Sequence, residues 1–305
     1  MSPRLKRGEP DQVERLQALN VGFRPSAPID RRALFAGRTA QLGDLFATVD
    51  QPGQHGVVFG ERGVGKTSLV SVAAETLGAA DVLCARTTCD RSDDFESVWK
   101  KALDELLFTT SRPGVGFAGS PREAQLGGGS FLGDDPSPHN VKRALQRLAG
   151  GRRLAIFIDE FDRLEVDEVR VLFADTIKAL SDQLPNVTVV LIGVADDVDQ
   201  LIADHQSIER ALQLIHMPRM AEQEITEIVT RGLETARLAI ERDALGRLVE
   251  AVDGLPHYAH LYGQLSGRIA LEDLRTRVRL RDVDEAVAEI AERRERARTG
   301  SRASA

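Results

Sequence analysis

The 305-residue chain is 42% hydrophobic but only 5% aromatic, and its formal net charge of −7 excludes a globally basic nucleic-acid binder, though not a local basic patch. Leu, Val, Ile and Ala must therefore supply the core of one large domain or two smaller ones. No apolar run approaches the roughly 20 residues of a membrane span, the basic N-terminus has no apolar stretch of a secretory signal behind it, and Cys84 and Cys89 lack metal-ligand spacing, so the expectation is a cytoplasmic protein with reduced, packed thiols.

Residues 1–29 read as a flexible segment with one short helix over 11–20, because Arg24-Pro25-Ser26-Ala27-Pro28 cannot continue a regular helix. Then come Leu34-Phe35-Ala36-Gly37-Arg38 and a helical spacing of Leu42, Leu45 and Phe46. The short apolar run Gly56-Val57-Val58-Phe59 suits a buried parallel strand. It feeds directly into Gly60-Glu61-Arg62-Gly63-Val64-Gly65-Lys66-Thr67, which fits G-x-x-x-x-G-K-[ST] at every position. Ser68 and the residues after it continue as a helix over 65–77.

Strand, glycine loop and helix are the context that triphosphate binding requires. Glycines let backbone N–H groups turn inward around phosphates, and the helix N-terminus adds positive potential. Gly60 to Ser68 are thus the nucleotide cradle. Lys66 is placed to reach the β- and γ-phosphates and the Thr67 hydroxyl to ligate Mg²⁺. The Gly37-Arg38 segment, about 20 residues upstream, is placed to wrap the adenine side, with Arg38 as its contact.

A second strand is predicted over 81–87 and a helix over 93–108 with Trp99 in its apolar stripe. Residues 109–136 hold seven glycines and three prolines and read as a flexible insertion without its own core. Ser137-Pro138 opens a helix to about 148. Further strands are expected over 153–158 and 187–194, a helix over 165–184, a helix over 207–215, and a short last strand over 215–218. Strands apolar on both faces, alternating with helices, specify a parallel sheet covered on both sides. Beyond 221 only helices are expected, over 221–236, 241–252, 256–271 and 280–297, with a basic tail over 293–298 fraying into solvent.

The strand over 153–158 ends in Asp159-Glu160, and ligands of open α/β sheets gather at the carboxyl ends of strands. Asp159 is assigned to Mg²⁺, and Glu160 to accepting a proton from the water that attacks the γ-phosphate. The role of Asp162 stays open between a helix cap and an ion-pair partner.

Phe35-Ala36-Gly37-Arg38, the phosphate loop, and Ile156-Phe157-Ile158-Asp159-Glu160-Phe161-Asp162 together resemble AAA+ ATPases, in the branch with origin-recognition-like, STAND-type and transposition-helper ATPases. The resemblance covers roughly 30–270. It implies a parallel-sheet P-loop NTPase core with a helical lid, and the element pattern sets the core at 30–220, the lid at 221–298 and a disordered tail at 299–305. It further implies an ATPase that uses Mg²⁺ and assembles with copies of itself through its nucleotide sites.

In that family a polar sensor ends the strand that lies between the loop and the acidic pair. The matching stretch here offers only Asp196, which is equally suited, with Asp197, to cap the next helix. An arginine finger is implied just before the last strand, where Arg210 stands, with Arg219 as the runner-up. Gly254-Leu255-Pro256-His257 resembles the lid element whose proline packs near adenine, and His257 occupies the place of the usual sensor arginine. Two readings of function remain: an ATPase that remodels or loads a partner, and a slow-hydrolysing, nucleotide-gated switch or adaptor. Either implies a separately encoded protein partner, and family company and the basic termini make DNA a second candidate.

Overall fold

The computed structural model describes residues 10–25, 37–112, 122–133, 136–194 and 206–302. In chain order the elements begin α1 (Pro10–Gly22), α2 (Thr39–Asp50), β1 (His55–Phe59), α3 (Lys66–Ala79), β2 (Leu83–Thr88), α4 (Phe95–Asp104), β3 (Leu107–Arg112) and β4 (Arg122–Gly127). They continue α5 (Pro138–Ala149), β5 (Leu154–Asp159), α6 (Asp167–Gln183), β6 (Val187–Gly193) and β7 (Leu212–His216). The remainder is α7 (Glu222–Thr235), β8 (Ala239–Ile240), α8 (Arg242–Val252), α9 (Pro256–Glu272), β9 (Arg277–Val278) and α10 (Leu280–Arg302). Two compact units result: Arg38–Arg62 with Leu69–Met217, and the described residues up to Gly37 with Gly63–Ser68 and the chain from Pro218 onward.

The first unit is built on a five-stranded sheet in the order β2-β5-β6-β1-β7, parallel throughout. Every residue of β5 and β6 is buried, which is why both read as unbroken apolar runs rather than alternating ones. Against one end of this sheet pack Phe95, Trp99, Phe161 and Phe173, with Trp99 stacked on Phe173 at 5.6 Å between ring centroids. Local signals set the helix ends. Asp94 and Ser97 cap α4 reciprocally, and Ser137 caps α5 with Pro138 in its first turn.

Two expectations for this unit are corrected. The helix predicted over 93–108 stops at Asp104, and the next residues leave it as β3, which pairs antiparallel with β4. The stretch read as a coreless insertion therefore carries a two-stranded ribbon and a 3-10 turn, Gly128–Phe131, whose Gly128 and Gly129 are buried. Its glycines serve close approach: a Cβ on Gly128 would stand 2.5 Å from the Leu103 carbonyl oxygen, and one on Gly129 2.5 Å from Asp104 Oδ1. The helix predicted over 207–215 is only a 3-10 turn, Gln206–Ala211, because the unpaired side of β1 takes Leu212–His216 as a fifth strand.

A buried histidine gives this unit a definite response to acid. His55, fully buried at the start of β1, accepts the Val189 N–H through Nδ1 at 3.0 Å, and burial lowers its pKa to about 4. The unfolded chain takes up a proton at this ring near pH 6.5, whereas the folded one does so only near 4. Stability contributed by the neutral ring is thus whole above 6.5 and declines between those values as pH falls. Lowering the pH from 7.5 to 5 is expected to cost about 2 kcal/mol from this group. Urea unfolding followed by Trp99 fluorescence checks it, and equal midpoints at the two pH values would refute it.

Among its described residues the second unit is helical, with the short parallel β8–β9 pair added. α7, α8, α9 and α10 occupy the stretches the sequence predicts, within a few residues at each end. α1 belongs here as well, although 1–29 reads as a flexible segment: Leu19 and Phe23 are each 1% exposed within this core. They seat on glycines of α7 and α9. A Cβ on Gly232 would lie 2.4 Å from the Phe23 ring, one on Gly263 2.5 Å from it, and one on Gly267 2.9 Å from Leu19. Arg275 holds the almost fully buried Asp282 through both carboxylate oxygens at 2.6 and 2.7 Å, which fixes the turn leading into α10. α10 does not fray at 293–298 but stays helical to Arg302, with Arg293 paired to Glu289 and Arg296 to Glu292 one turn earlier.

Candidate nucleotide site

β1 delivers the chain to the loop at a point where only glycine fits. The Met217 N–H bonds the Phe59 carbonyl at 2.7 Å, and a Cβ on Gly60 would stand 2.3 Å from the Met217 carbonyl oxygen. Gly63 and Gly65 follow with φ of 89° and 97°, and α3 opens at Lys66 for 14 residues. Glu61, Arg62 and Gly63 are exposed, Val64 is fully buried, and Thr67 and Ser68 are half-buried. Lys66 is 9% exposed, so its stem is packed where it leaves the loop. A turn that needs glycines at positive φ and leads into the N-terminus of a long helix fits phosphate oxygens in its chemistry. Gly63–Ser68 group with the helical unit, where Pro256 is buried in the first turn of α9 and a Cβ on Gly65 would lie 3.6 Å from its Cγ.

Because the sheet is parallel, β5 and β1 end at the same edge, with β6 between them. Asp159, the last residue of β5, is 8% exposed. Its Oδ1 accepts the Glu160 N–H at 2.9 Å, and its carbonyl oxygen accepts the Cys89 N–H at 2.8 Å. Glu160 adopts the left-handed conformation, φ 54° and ψ 36°, which turns the chain sharply into a 3-10 turn, Phe161–Arg163. Among the described residues Asp162 makes no ion pair: its Oδ1 accepts the Val194 N–H at 2.8 Å and ties this turn to the end of β6. Cys89 is buried and its thiol pushed up to about 12, first by burial and then by the Asp93 carboxylate, so it is an inert packed thiol, as its spacing implies.

Among the described residues no three His, Cys, Asp or Glu side chains form a metal cluster. Thr67 and Asp159 each carry the kind of hard oxygen donor that Mg²⁺ takes, since that ion characteristically binds one or two protein oxygens and completes its shell with phosphate and water.

The other predicted site residues are spread over both units. Arg38 is buried and left-handed, φ 60°, where α2 begins. Arg210 is exposed on the 3-10 turn before β7, the edge strand of the sheet. Arg219 is engaged inside the helical unit, bonded to the Asp253 carboxylate and, at 3.2 Å, to its carbonyl oxygen. His257 is exposed on α9, its ring 5.2 Å from that of Tyr258. Asp196, Asp197 and the Phe35-Ala36 pair lie outside the described residues. One charged residue of the site escaped the sequence reading: Arg163, whose Nη2 lies 2.8 Å from Glu160 Oε2. Its three-residue spacing from Glu160 was the available signal, but that spacing brings side chains together only once a helical turn is known to follow.

A family model described as Novel STAND NTPase 1 matches residues 28–266. No curated protein matches the sequence. Among solved structures, the Walker-type ATPase PABY2304 of Pyrococcus abyssi superposes with a TM-score of 0.62 at 18% identity, over 91% of this chain and 80% of that one. The Orc1 protein of Aeropyrum pernix, solved in complex with DNA, gives 0.58 at 18% identity over 84% of this chain and 66% of that one. A Thermotoga maritima RuvB variant, R170A, gives 0.53 at 14% identity over 83% and 70%. Likeness at these identities establishes the fold.

Proposed function

The chain belongs to the Novel STAND NTPase 1 family, a P-loop NTPase of AAA+ type, and from that membership we propose that it binds ATP with Mg²⁺, hydrolyses it, and couples the nucleotide state to self-assembly and to engagement of a partner. Backbone N–H groups of Gly60–Ser68 and the Lys66 ammonium hold the phosphates, with Arg38 and Pro256 on the adenine side. Thr67 and Asp159 hold the cation. Bound Mg²⁺ supplies neutralisation of the charge that builds on the phosphate oxygens. Glu160 accepts the proton of the attacking water, and Arg210 of a neighbouring copy spreads the charge of the γ-phosphate.

The observation that supports this reading best is the coincidence, at one sheet edge, of the glycine-forced start of the loop at Gly60 and an acidic strand end. A protein is the favoured partner. DNA, which the Orc1 structure contains, is the second candidate. Within the basic tail Arg293 and Arg296 are already paired to glutamates along α10, which reduces its value as a phosphate-binding patch. The slow switch is the second reading of the same site, favoured by family membership and by the ion pair that engages Glu160.

Titration with ATP and a hydrolysis assay across protein concentrations test the proposal. Lys66→Ala is expected to weaken ATP binding about 10- to 100-fold by removing a charge-assisted phosphate contact. Specific activity of the unaltered chain should rise with concentration as neighbours supply Arg210. Unchanged affinity in Lys66→Ala would refute the phosphate assignment, and activity flat with concentration would refute the shared site.

A further inference from the structure

A cleft of about 420 Å³ opens beside the acidic end of β5, and it is lined by none of the loop residues Gly60–Ser68. Asp159 and Phe157 form its buried side, at 8% and 0% exposed. In the parallel pairing of β2 with β5, Arg86 stands opposite Phe157 and Thr88 opposite Asp159, so all four share one face of the sheet. β2 is the edge strand, and Arg86 and Thr88 are exposed where the cleft meets solvent. Lys101 near the end of α4 and Glu105 one turn later, both exposed, contribute to its rim. The cleft thus runs from the buried end of β5 to the outside of the sheet.

Its charges are unequally committed. Lys101 is held by Asp93 at 2.7 Å and by Asp90 at 3.2 Å. Among the described residues, the side chains of Arg86 and Glu105 form no hydrogen bond or ion pair. A guanidinium with its N–H fork open has the geometry to take two oxygens of an oxyanion at once. A carboxylate in the same cleft repels that anion and shortens its stay. A passage needs both, attraction enough to enter and too little to retain. Attack of water on the γ-phosphorus breaks its bond to the bridging oxygen and yields ADP, inorganic phosphate and a proton. We propose that this cleft carries the inorganic phosphate out, Arg86 receiving it and Glu105 hastening its departure. This rests on the reading of the loop and the end of β5 as a site of hydrolysis.

Titration of inorganic phosphate into the full chain saturated with ADP and Mg²⁺, followed by ³¹P line width, tests it without turnover. Arg86→Gln should weaken phosphate binding about two- to fivefold, the strength of an exposed ionic contact, and Glu105→Gln should tighten it by a similar factor. Arg86→Lys keeps the charge but loses the fork, and should fall between Arg86→Gln and the parent. In a single turnover, release read with a fluorescent phosphate-binding protein should lag further behind acid-quenched hydrolysis in Arg86→Gln than in the parent. The hydrolysis step itself and the melting temperature should hold in all three variants.

If the unaltered chain releases no phosphate from ATP, the hydrolysis reading fails and the exit with it. If it hydrolyses ATP while phosphate binds all the variants and the parent equally, the exit alone is overturned. Release that follows hydrolysis as closely in Arg86→Gln as in the parent also overturns it. Should Arg86→Gln lose stability together with phosphate binding, Glu105→Gln decides: without tighter binding there, Arg86 is a structural residue and the cleft carries no anion.

Discussion

Glu160→Gln is expected to lower the rate of ATP hydrolysis about 100- to 10,000-fold while ATP affinity changes little, the loss typical of removing a positioned general base. The substitution is a narrow one. Glutamine has the same shape, its N–H still bonds Asp159 Oδ1, and its carbonyl still closes the turn with Arg163. Its cost in the left-handed conformation at φ 54° should match that of glutamate. What disappears is the ability to take a proton. Mg²⁺ and phosphate contacts assigned to Thr67, Asp159 and Lys66 are untouched, so the variant should accumulate with ATP bound. Parallel measurement of ATP dissociation and of phosphate release separates the two quantities. A rate within threefold of the parent would remove Glu160 from the mechanism and leave this end of β5 a metal-binding site only.

The largest stability effect is expected at a residue far along the sequence from the loop. Phe23→Ala should destabilise the helical unit by about 3–5 kcal/mol. The ring is 1% exposed and meets His260 edge-on with centroids 6.0 Å apart. It fills a slot that exists because positions 232 and 263 carry no side chain. Glycines cannot extend into the space that truncation leaves, so the cavity term should be near its upper range. Neither ring nitrogen of His260 has a hydrogen-bond partner among the described residues, and burial lowers its pKa to about 4, so in the folded chain the ring beside Phe23 is neutral at pH 7. Far-UV circular dichroism during urea unfolding follows the helices of both units, and Trp99, the chain's one tryptophan, reports on the sheet unit alone, so the helical unit is read from the difference between the two curves. A loss under 1 kcal/mol would mean that α1 does not occupy this slot in solution.

Periodicity and punctuation located the elements whose structure depends on neighbours close in sequence. Ser137-Pro138 opened α5 where expected, and Pro256 began α9 just after the Gly254-Leu255 break, since capping and fixed φ act within a turn. The misread stretches were those whose partners lie far along the chain. Glycines at 127–129 signalled flexibility, but they are small because Leu103 and Asp104 press against them. Arg24-Pro25 signalled a loose N-terminus, and two apolar residues just before it, Leu19 and Phe23, were in fact core. A helix of 13 residues with so few apolar positions gives no sign of which surface it will cover.

By itself, then, the sequence determined the phosphate loop, the acidic strand end and the alternation that makes the sheet parallel. Each is a local pattern whose chemistry is contained in neighbouring residues: inward N–H groups require glycines at set spacings, and a strand buried on both faces must be apolar at every position. Tertiary structure alone decided that Asp162 braces β6, that Arg219 is committed to Asp253, and that Glu160 is paired with Arg163. It also decided why Gly60 is a glycine, since the atom that excludes a side chain there belongs to Met217. Such contacts need the folded backbone to bring their partners within a few ångströms, and even the three-residue spacing of Glu160 and Arg163 means nothing until a helical turn is known to follow.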